Sequence, residues 1–433
     1  MRVASEWWPE LCMTCRLVTE EADRPSFHPS KRPCLGVDGI GRRLAETEPP
    51  MPTSPFLSDS DVVDRVLGHV ADRTTDRGER TWREPVAHYR SPERLERERA
   101  LMRALPVAFC PSIALPGPGA FIARRAAGTS LIAVRGQDGT VRAFKNACRH
   151  RGAELVSGSG CTGAFVCPYH GWSYGLDGAL RGIPHPDGFP DLDTAANGLA
   201  EVTAIETKGI VFIRQSGEAA DREAWAGMLD GVPDVLTQDQ ILFARNESVI
   251  EANWKLHLES FLEGYHIKPA HKATFFPFGY DNLNVIEFSG PHARVTFPFQ
   301  RITQLADVPP EDRDVSDKLT YLNHLFPNVV LAELSHHRTL AILEPLGPDR
   351  TRLISFHMTK STDNPDRDAV VKTAERDLDF VNGTGQAEDI ALVEGIQRGL
   401  ASGANDVFTF GEWEPAIVHF HEQMESHLDA LPD

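Results

Sequence analysis

The spacing of apolar positions changes along this chain, and the changes divide it into regions. Val62, Val63, Val66 and Leu67 recur at helical spacing, and Ser91–Met102 sets Leu95, Leu101 and Met102 among alternating charges, which predicts a solvated helix. From Val107 the period shortens. Ser130–Arg135, a turn at Asp138–Gly139 and Val141–Phe144 predict a β-hairpin, a second turn lies at Asp177–Gly178, and Gly209–Arg214 reads as a further strand. After residue 216 the pattern is mixed, with a helix over Asn253–His266, strands at Ala293–Phe297 and Leu353–Met358, and long helices after Asp366. The chain is therefore expected to be α+β, a small antiparallel β-domain followed by an antiparallel sheet covered by helices on one face. Four segments result: an extension over 1–50, a helical segment over 51–105, the β-domain over 106–215 and the mixed domain over 216–433. Residues 1–50 combine Cys12, Cys15, His28 and Cys34 with many Pro and Arg and no sustained period. Without a second Cys pair they read as a flexible extension or an artefact of gene calling, with Met51 as the alternative start.

Composition narrows the class. A length of 433 residues accommodates two or three domains, and a net charge of −18 argues against nucleic acid, whose phosphates require clustered Lys and Arg. Membrane helices need about eighteen consecutive apolar residues, and none are present; no basic region followed by an apolar stretch marks an export signal. Seven cysteines without a paired framework suit a reducing cytoplasm.

The chemistry begins at Cys148-Arg-His150, followed after sixteen residues by Cys167-Pro-Tyr-His170. Each arm carries one thiolate and one imidazole. Zinc is the competitor for this ligand set, but zinc fingers usually pair Cys with Cys and His with His. A mixed pair on each arm suits a [2Fe–2S] cluster with Cys148 and Cys167 on one iron and His150 and His170 on the other. The stretches Cys148-Arg-His-Arg-Gly152 and Cys167-Pro-Tyr-His-Gly-Trp172 resemble the two binding loops of Rieske proteins. Ala153 and Tyr169 stand where the disulfide cysteines of respiratory-chain Rieske proteins would be. Cys161, in a Gly-rich turn, reads as a loop thiol without a role, and Trp172 is expected to pack beneath the cluster. Arg149 and Arg151 read either as a positive rim for an acidic donor or as solvated loop residues.

A second group follows at Asn253-Trp-Lys255, Glu263, His266 and His271. Two histidines with a distant carboxylate form the facial triad of non-haem Fe(II) oxygenases. Five residues on an ideal helix turn about 140° past one face, so Pro269 is expected to break the helix and swing His271 round to the same metal.

With both groups in view, the chain resembles the large α-type component of the Rieske non-haem iron oxygenases from about Pro106 to near the C-terminus. The resemblance implies a helix-grip catalytic domain and a mononuclear iron held by His266, His271 and an aspartate on a C-terminal helix. Gln386–Leu400 looks like that helix, which makes Asp389 the third ligand and Glu388 the residue most easily confused with it. Glu263 matches the family's bridging acid between a neighbouring subunit's cluster histidine and the iron site. Most ring-dihydroxylating members have Asp there, and Glu is similar to monooxygenase and demethylase relatives.

Further implications are electrons entering singly at the cluster, O2 as co-substrate, and hydroxylation or demethylation of an aromatic or other small organic substrate. The chain has no GxGxxG after a strand, so NAD(P)H would act through a separate reductase, with or without a ferredoxin. A homotrimer or α3β3 assembly with a small β-subunit is implied. Phe275, Phe276, Phe278, Phe288, Phe297 and Phe299, with Tyr280 and Tyr321, could line an apolar pocket for an uncharged or aromatic substrate. His336–His337 and the run His419, His421 and His427 read as packing residues. Two rival functions remain, an electron-transfer protein without a second iron and a binding module without turnover.

Overall fold

The computed structural model describes residues 56–216, 227–361 and 364–431, so the Cys12–Cys15 pair and the rest of the N-terminal extension lie outside the described residues. Helix α1 (Asp59–Asp72) starts where the Ser58 side chain accepts from the Asp61 N–H and buries Val62, Val63 and Val66. Strand β1 (Trp82–Pro85) and the one-turn helix α2 (Ala87–Arg90) lead to α3 (Pro92–Ala104), which has Ser91 as N-cap and Pro92 in its first turn.

Helix α3 departs from the expected solvated helix. Arg94 and Glu98 are buried along with Leu95, Leu101 and Met102. Glu98 lies 3.0 Å from Arg94 and also pairs with the fully buried Lys255 and accepts from Trp254 Nε1 at 2.9 Å. Alternating charge marks a solvated face only when no opposite charge lies behind it, and here Lys255 does.

Ten strands form the β-domain. They are β2 (Val107–Pro111), β3 (Ala120–Ala126), β4 (Thr129–Arg135), β5 (Val141–Lys145), β6 (Gly158–Cys161), β7 (Phe165–Val166), β8 (Ser173–Tyr174), β9 (Leu180–Gly182), β10 (Glu201–Thr207) and β11 (Ile210–Arg214). One sheet runs β2-β11-β10-β5-β4-β3-β6, and a smaller one runs β7-β8-β9. The expected hairpin is β4–β5, with Leu131 opposite Lys145 and Gly139 at φ 80° in its turn.

The second sheet comprises β12 (Leu242–Ile250), β13 (Val285–Ser289), β14 (His292–Pro298), β15 (Leu319–Leu325), β16 (Val329–Glu333), β17 (His337–Gly347) and β18 (Arg350–Thr359). Its order is β12-β18-β17-β16-β15-β14-β13, antiparallel throughout. Period-two alternation gives this sheet two buried faces. Leu340, Ile342, Ile354 and Phe356 pack with Ala108, Cys110, Val211 and Phe212 of the β-domain, whereas Ala341, Leu343 and Leu353 face Trp254, Ile417 and Phe420 on the helical side. Those helices are α4 (Trp254–Glu259), α5 (Ile267–Ala270), α6 (Arg367–Val381), α7 (Ala387–Leu400) and, after β19 (Val407–Phe410), α8 (Pro415–Asp429). Strand β19 pairs with β1, tying the two ends of the described chain together. Among the described residues no helix is long and apolar enough to cross a membrane.

Candidate metal centres

Both arms of the Cys/His motif fold the same way. In each, the Cys carbonyl accepts from the Gly four residues on, Gly152 at 2.8 Å and Gly171 at 3.0 Å. The Cys N–H donates to the carbonyl one residue further, Ala153 or Trp172, at 2.8 Å. Gly152 and Gly171 have φ of 78° and 74°, a region that suits residues without a Cβ, so the shared Cys-to-Gly spacing sets the loop shape.

These loops present Cys148 and Cys167, both buried, beside His150 and His170, whose ring centroids are 4.7 Å apart. The donor set fits a cluster. The Nδ1 of His150 is buried with no hydrogen-bond partner among the described residues, as expected of a nitrogen kept for a metal. Burial would raise the Cys167 thiol, but N–H groups of Tyr169 and His170 turned on the sulfur hold it below its ordinary value and favour thiolate. Trp172 stacks on His150 with centroids 4.9 Å apart and planes 7° apart. Sequence reading missed Tyr174, whose hydroxyl lies 3.2 Å from Cys148 Sγ while accepting the Arg149 N–H at 3.0 Å. Its only signal was a place one alternation beyond Trp172.

The second centre gathers His266, His271 and Asp389, one ligand atom from each lying within 4.8 Å of the others. The local route differs from the one expected. The helix beginning at Trp254 ends at Glu259, and Glu263 and His266 lie in the turns that follow. Glu263 therefore reaches His266 through a turn, where one carboxylate oxygen accepts the His266 N–H at 3.1 Å and the other accepts from Nδ1. Pro269 does not break a long helix. It sits inside the one-turn α5, where its missing N–H costs little, and His271 comes round because it caps that turn.

Asp389 arrives on α7, which continues from α6 through a π-helical segment at Asn382–Gln386. Its Oδ1 is 3.0 Å from His271 Nε2 and 3.5 Å from His266 Nε2. Glu388 points the other way, accepting from His271 Nδ1 at 2.7 Å and from Thr274 Oγ1 at 2.7 Å. Its role as the partner that orients His271 was not foreseen. With Glu263 and Glu388 on the Nδ1 side of the two rings, both Nε2 atoms turn toward Asp389 Oδ1. Burial would depress both imidazoles, yet the carboxylates around them raise His266 and His271 above the ordinary value. Three converging lone pairs in a negative field are the setting for a divalent cation.

The same three residues line a cavity of about 610 Å³ whose walls include Phe261, Phe275, Phe278, Phe297, Phe299 and Phe380. Phe276 and Phe288 are not among its lining residues, and neither is Tyr321, which donates to Asp59 at 2.8 Å. His337, which is buried as a packing residue would be, and Asp377 also line this cavity. His421 does pack in the core, held by Glu259 at 2.9 Å and Glu84 at 3.3 Å. A further convergence, Glu84, His88 and Glu425, has its cation in Arg94, 2.5 Å from Glu425.

Two family patterns match, one described as "Rieske [2Fe-2S] domain" over residues 106–208 and one as "Ring hydroxylating alpha subunit (catalytic domain)" over 234–430. The choline monooxygenase of Spinacia oleracea is 30% identical over 307 residues, 68% of this chain and 66% of that protein. The carnitine monooxygenase oxygenase subunit of Acinetobacter baumannii is 33% identical over 198 residues, 44% of this chain and 53% of that protein. The chain thus spans between about half and two thirds of these two relatives. Two solved structures share the fold. A quaternary ammonium Rieske monooxygenase, CntA, in complex with L-carnitine has TM-score 0.65 at 22% identity over 86% of this chain and 99% of that one. Naphthalene 1,2-dioxygenase from Rhodococcus sp. bound to indole has TM-score 0.68 at 21% over 87% and 100%. With a Cys/His loop pair in the region of the first pattern and a His/His/Asp convergence in that of the second, the chain belongs to the Rieske oxygenase α-subunit family.

Proposed function

We propose that the protein is a terminal oxygenase, with a Rieske cluster held by Cys148, His150, Cys167 and His170 and a mononuclear Fe(II) held by His266, His271 and Asp389. When bound, the two centres supply one-electron transfer and O2 activation for hydroxylation or demethylation of a small organic molecule. The observation that carries this reading is the second convergence at the wall of a cavity of about 610 Å³. A pure electron carrier has no use for either.

The chain's own residues contribute orientation and dryness. Glu263 and Glu388 fix the tautomers of His266 and His271, and the Phe-lined wall keeps water from the reacting position. Substrates of the choline and carnitine relatives carry a quaternary ammonium group. Cages for that group favour Trp and Tyr faces, whereas among the described residues the aromatic wall here is mainly Phe with Tyr280 and no Trp, which favours an uncharged or aromatic substrate.

Electrons would come from NAD(P)H through a separate reductase, with or without a ferredoxin, in the cytoplasm. A homotrimer, with or without a β-subunit, would let the exposed His170 and Tyr169 of one copy meet Glu263 of the next. Tyr265 and Trp413, their rings tilted against each other with centroids 5.2 Å apart and 54% and 40% exposed, offer an apolar landing beside that acid.

The test is substrate-dependent O2 consumption by reconstituted holoprotein with a surrogate reductase. Wild type is expected to consume O2 with product formation, while Asp389→Ala still accepts electrons at the cluster and forms no product. Cluster reduction without O2 consumption for any substrate in a broad aromatic and methylated panel would leave an electron carrier.

A further inference from the structure

Strands β17 and β18 bring one group of polar side chains to the cavity over the proposed iron ligands. There Thr339 lies directly opposite His357, and Thr339 Oγ1 is 2.9 Å from His357 Nδ1. The amide nitrogen of Asn246 is 3.3 Å from His357 Nε2, so Nε2 accepts and Nδ1–H donates to Thr339. Burial, which pushes His357 down to about 3, keeps this ring neutral. The Thr339 hydroxyl proton is thereby left to donate elsewhere.

Two residues earlier on the same strand face, His337 donates from Nδ1 to Asp377 at 2.8 Å. Asp377 also accepts the His336 N–H at 2.9 Å, so two donors from the chain hold its charge. The other nitrogen of His337, Nε2, is buried and has no hydrogen-bond partner among the described residues. With the Nδ1 proton on the Asp377 side, that nitrogen is an acceptor. His337, Thr339, His357 and Asp377 all line the cavity.

We propose that His337 and Thr339 form a subsite for the hydroxyl group of a neutral, otherwise apolar substrate, an alcohol or phenol, which donates to His337 Nε2 and accepts from Thr339. This rests on the oxygenase reading of the same cavity. One acceptor beside one donor matches a hydroxyl, which is both. A carboxylate would meet the His337 lone pair, an ether offers no proton, and a quaternary ammonium makes no hydrogen bond. Without a hydroxyl the two buried groups stay unpaired, the situation in which a site discriminates strongly.

The test is calorimetric titration of the holoprotein with ethylbenzene, 4-ethylphenol, 4-ethylanisole, cyclohexane, cyclohexanol and tetramethylammonium. In at least one matched pair the hydroxyl is expected to tighten binding about tenfold. The methyl ether gains nothing over the hydrocarbon, and tetramethylammonium, which has no hydroxyl, binds more weakly than the preferred hydroxyl probe. His337→Phe and Thr339→Val each erase the gain while leaving hydrocarbon binding in place, and Thr339→Ser keeps it. The proposal is overturned by the absence of a hydroxyl gain in both pairs, by a gain that survives both substitutions, or by tetramethylammonium as the tightest ligand. Melting temperature and iron content of the same samples verify folding and separate the two readings, because a missing mononuclear iron defeats the oxygenase while the titration still reports on the subsite.

Discussion

The two metal centres are built on opposite plans. At the cluster end, all four proposed ligands come from two short loops of identical hydrogen-bond pattern, and His170 and Tyr169 stand open to solvent. At the iron end, the proposed ligands come from a capped turn and a distant helix, and each histidine is held from behind by its own carboxylate. The shape of each loop is set by short-range hydrogen bonds, within the β-domain. The iron site exists only after α7 has docked on the turn that carries His266 and His271, so it depends on tertiary packing and on the residues that orient its ligands.

That contrast yields predictions. Asp389→Ala is expected to abolish product formation and empty the iron site while the reduced-cluster EPR signal stays unchanged; loss of both signals would show that the centres are not independent. Glu388→Ala, by freeing the ring of His271, is expected to weaken Fe(II) binding about 10–100-fold, with Glu388→Gln intermediate, measured by metal titration. An unchanged affinity would reduce Glu388 to a surface acid.

On the cluster side, Gly171→Ala places a Cβ at φ 74° and 3.2 Å from Pro184 Cγ. It is expected to cost about 1–2 kcal/mol in loop stability and to speed cluster loss, leaving Fe(II) affinity at the other centre unaltered. Tyr174→Phe removes a hydrogen bond to the Cys148 sulfur and is expected to lower the cluster potential in protein-film voltammetry without changing iron content.

The smallest effect lies in the core between helices. Burial would depress His421, but hydrogen bonds and charges from Glu259 and Glu84 raise it above its ordinary 6.5. A raised folded value contributes stability that is fully present below about 6.5 and is lost as pH climbs through the folded value. Melting temperature of the metal-free protein is thus expected to fall on the alkaline side of neutrality, and His421→Gln to flatten that slope. A wild-type profile that rises there would contradict the ion-pair assignment.

The same contrast explains what was legible in the sequence. The Cys/His arms, the Gly at each loop end and the β4–β5 hairpin are local, so spacing alone exposed them. His266 and His271 were legible as a pair, but the helix expected across them was too long, because the turns after Glu259 are set by packing rather than propensity. Asp389 came only from family resemblance, since no local pattern links α7 to His271. Helix α3 misled for the same reason, its charges being answered by Lys255 from α4. Glu388 was legible only as a neighbour of Asp389, His337 only as a packing residue, and Tyr174 was missed, because their contacts are ones that no spacing encodes.

The measurement that tests the account most directly is iron and sulfide content, with EPR of the reduced form, for anaerobically purified wild type and His266→Ala/His271→Ala. The account predicts about three irons and two sulfides per chain in the wild type, and a variant that loses one iron and keeps the Rieske signal. Two irons in both proteins, with Fe(II) failing to restore a third in the wild type, would contradict it.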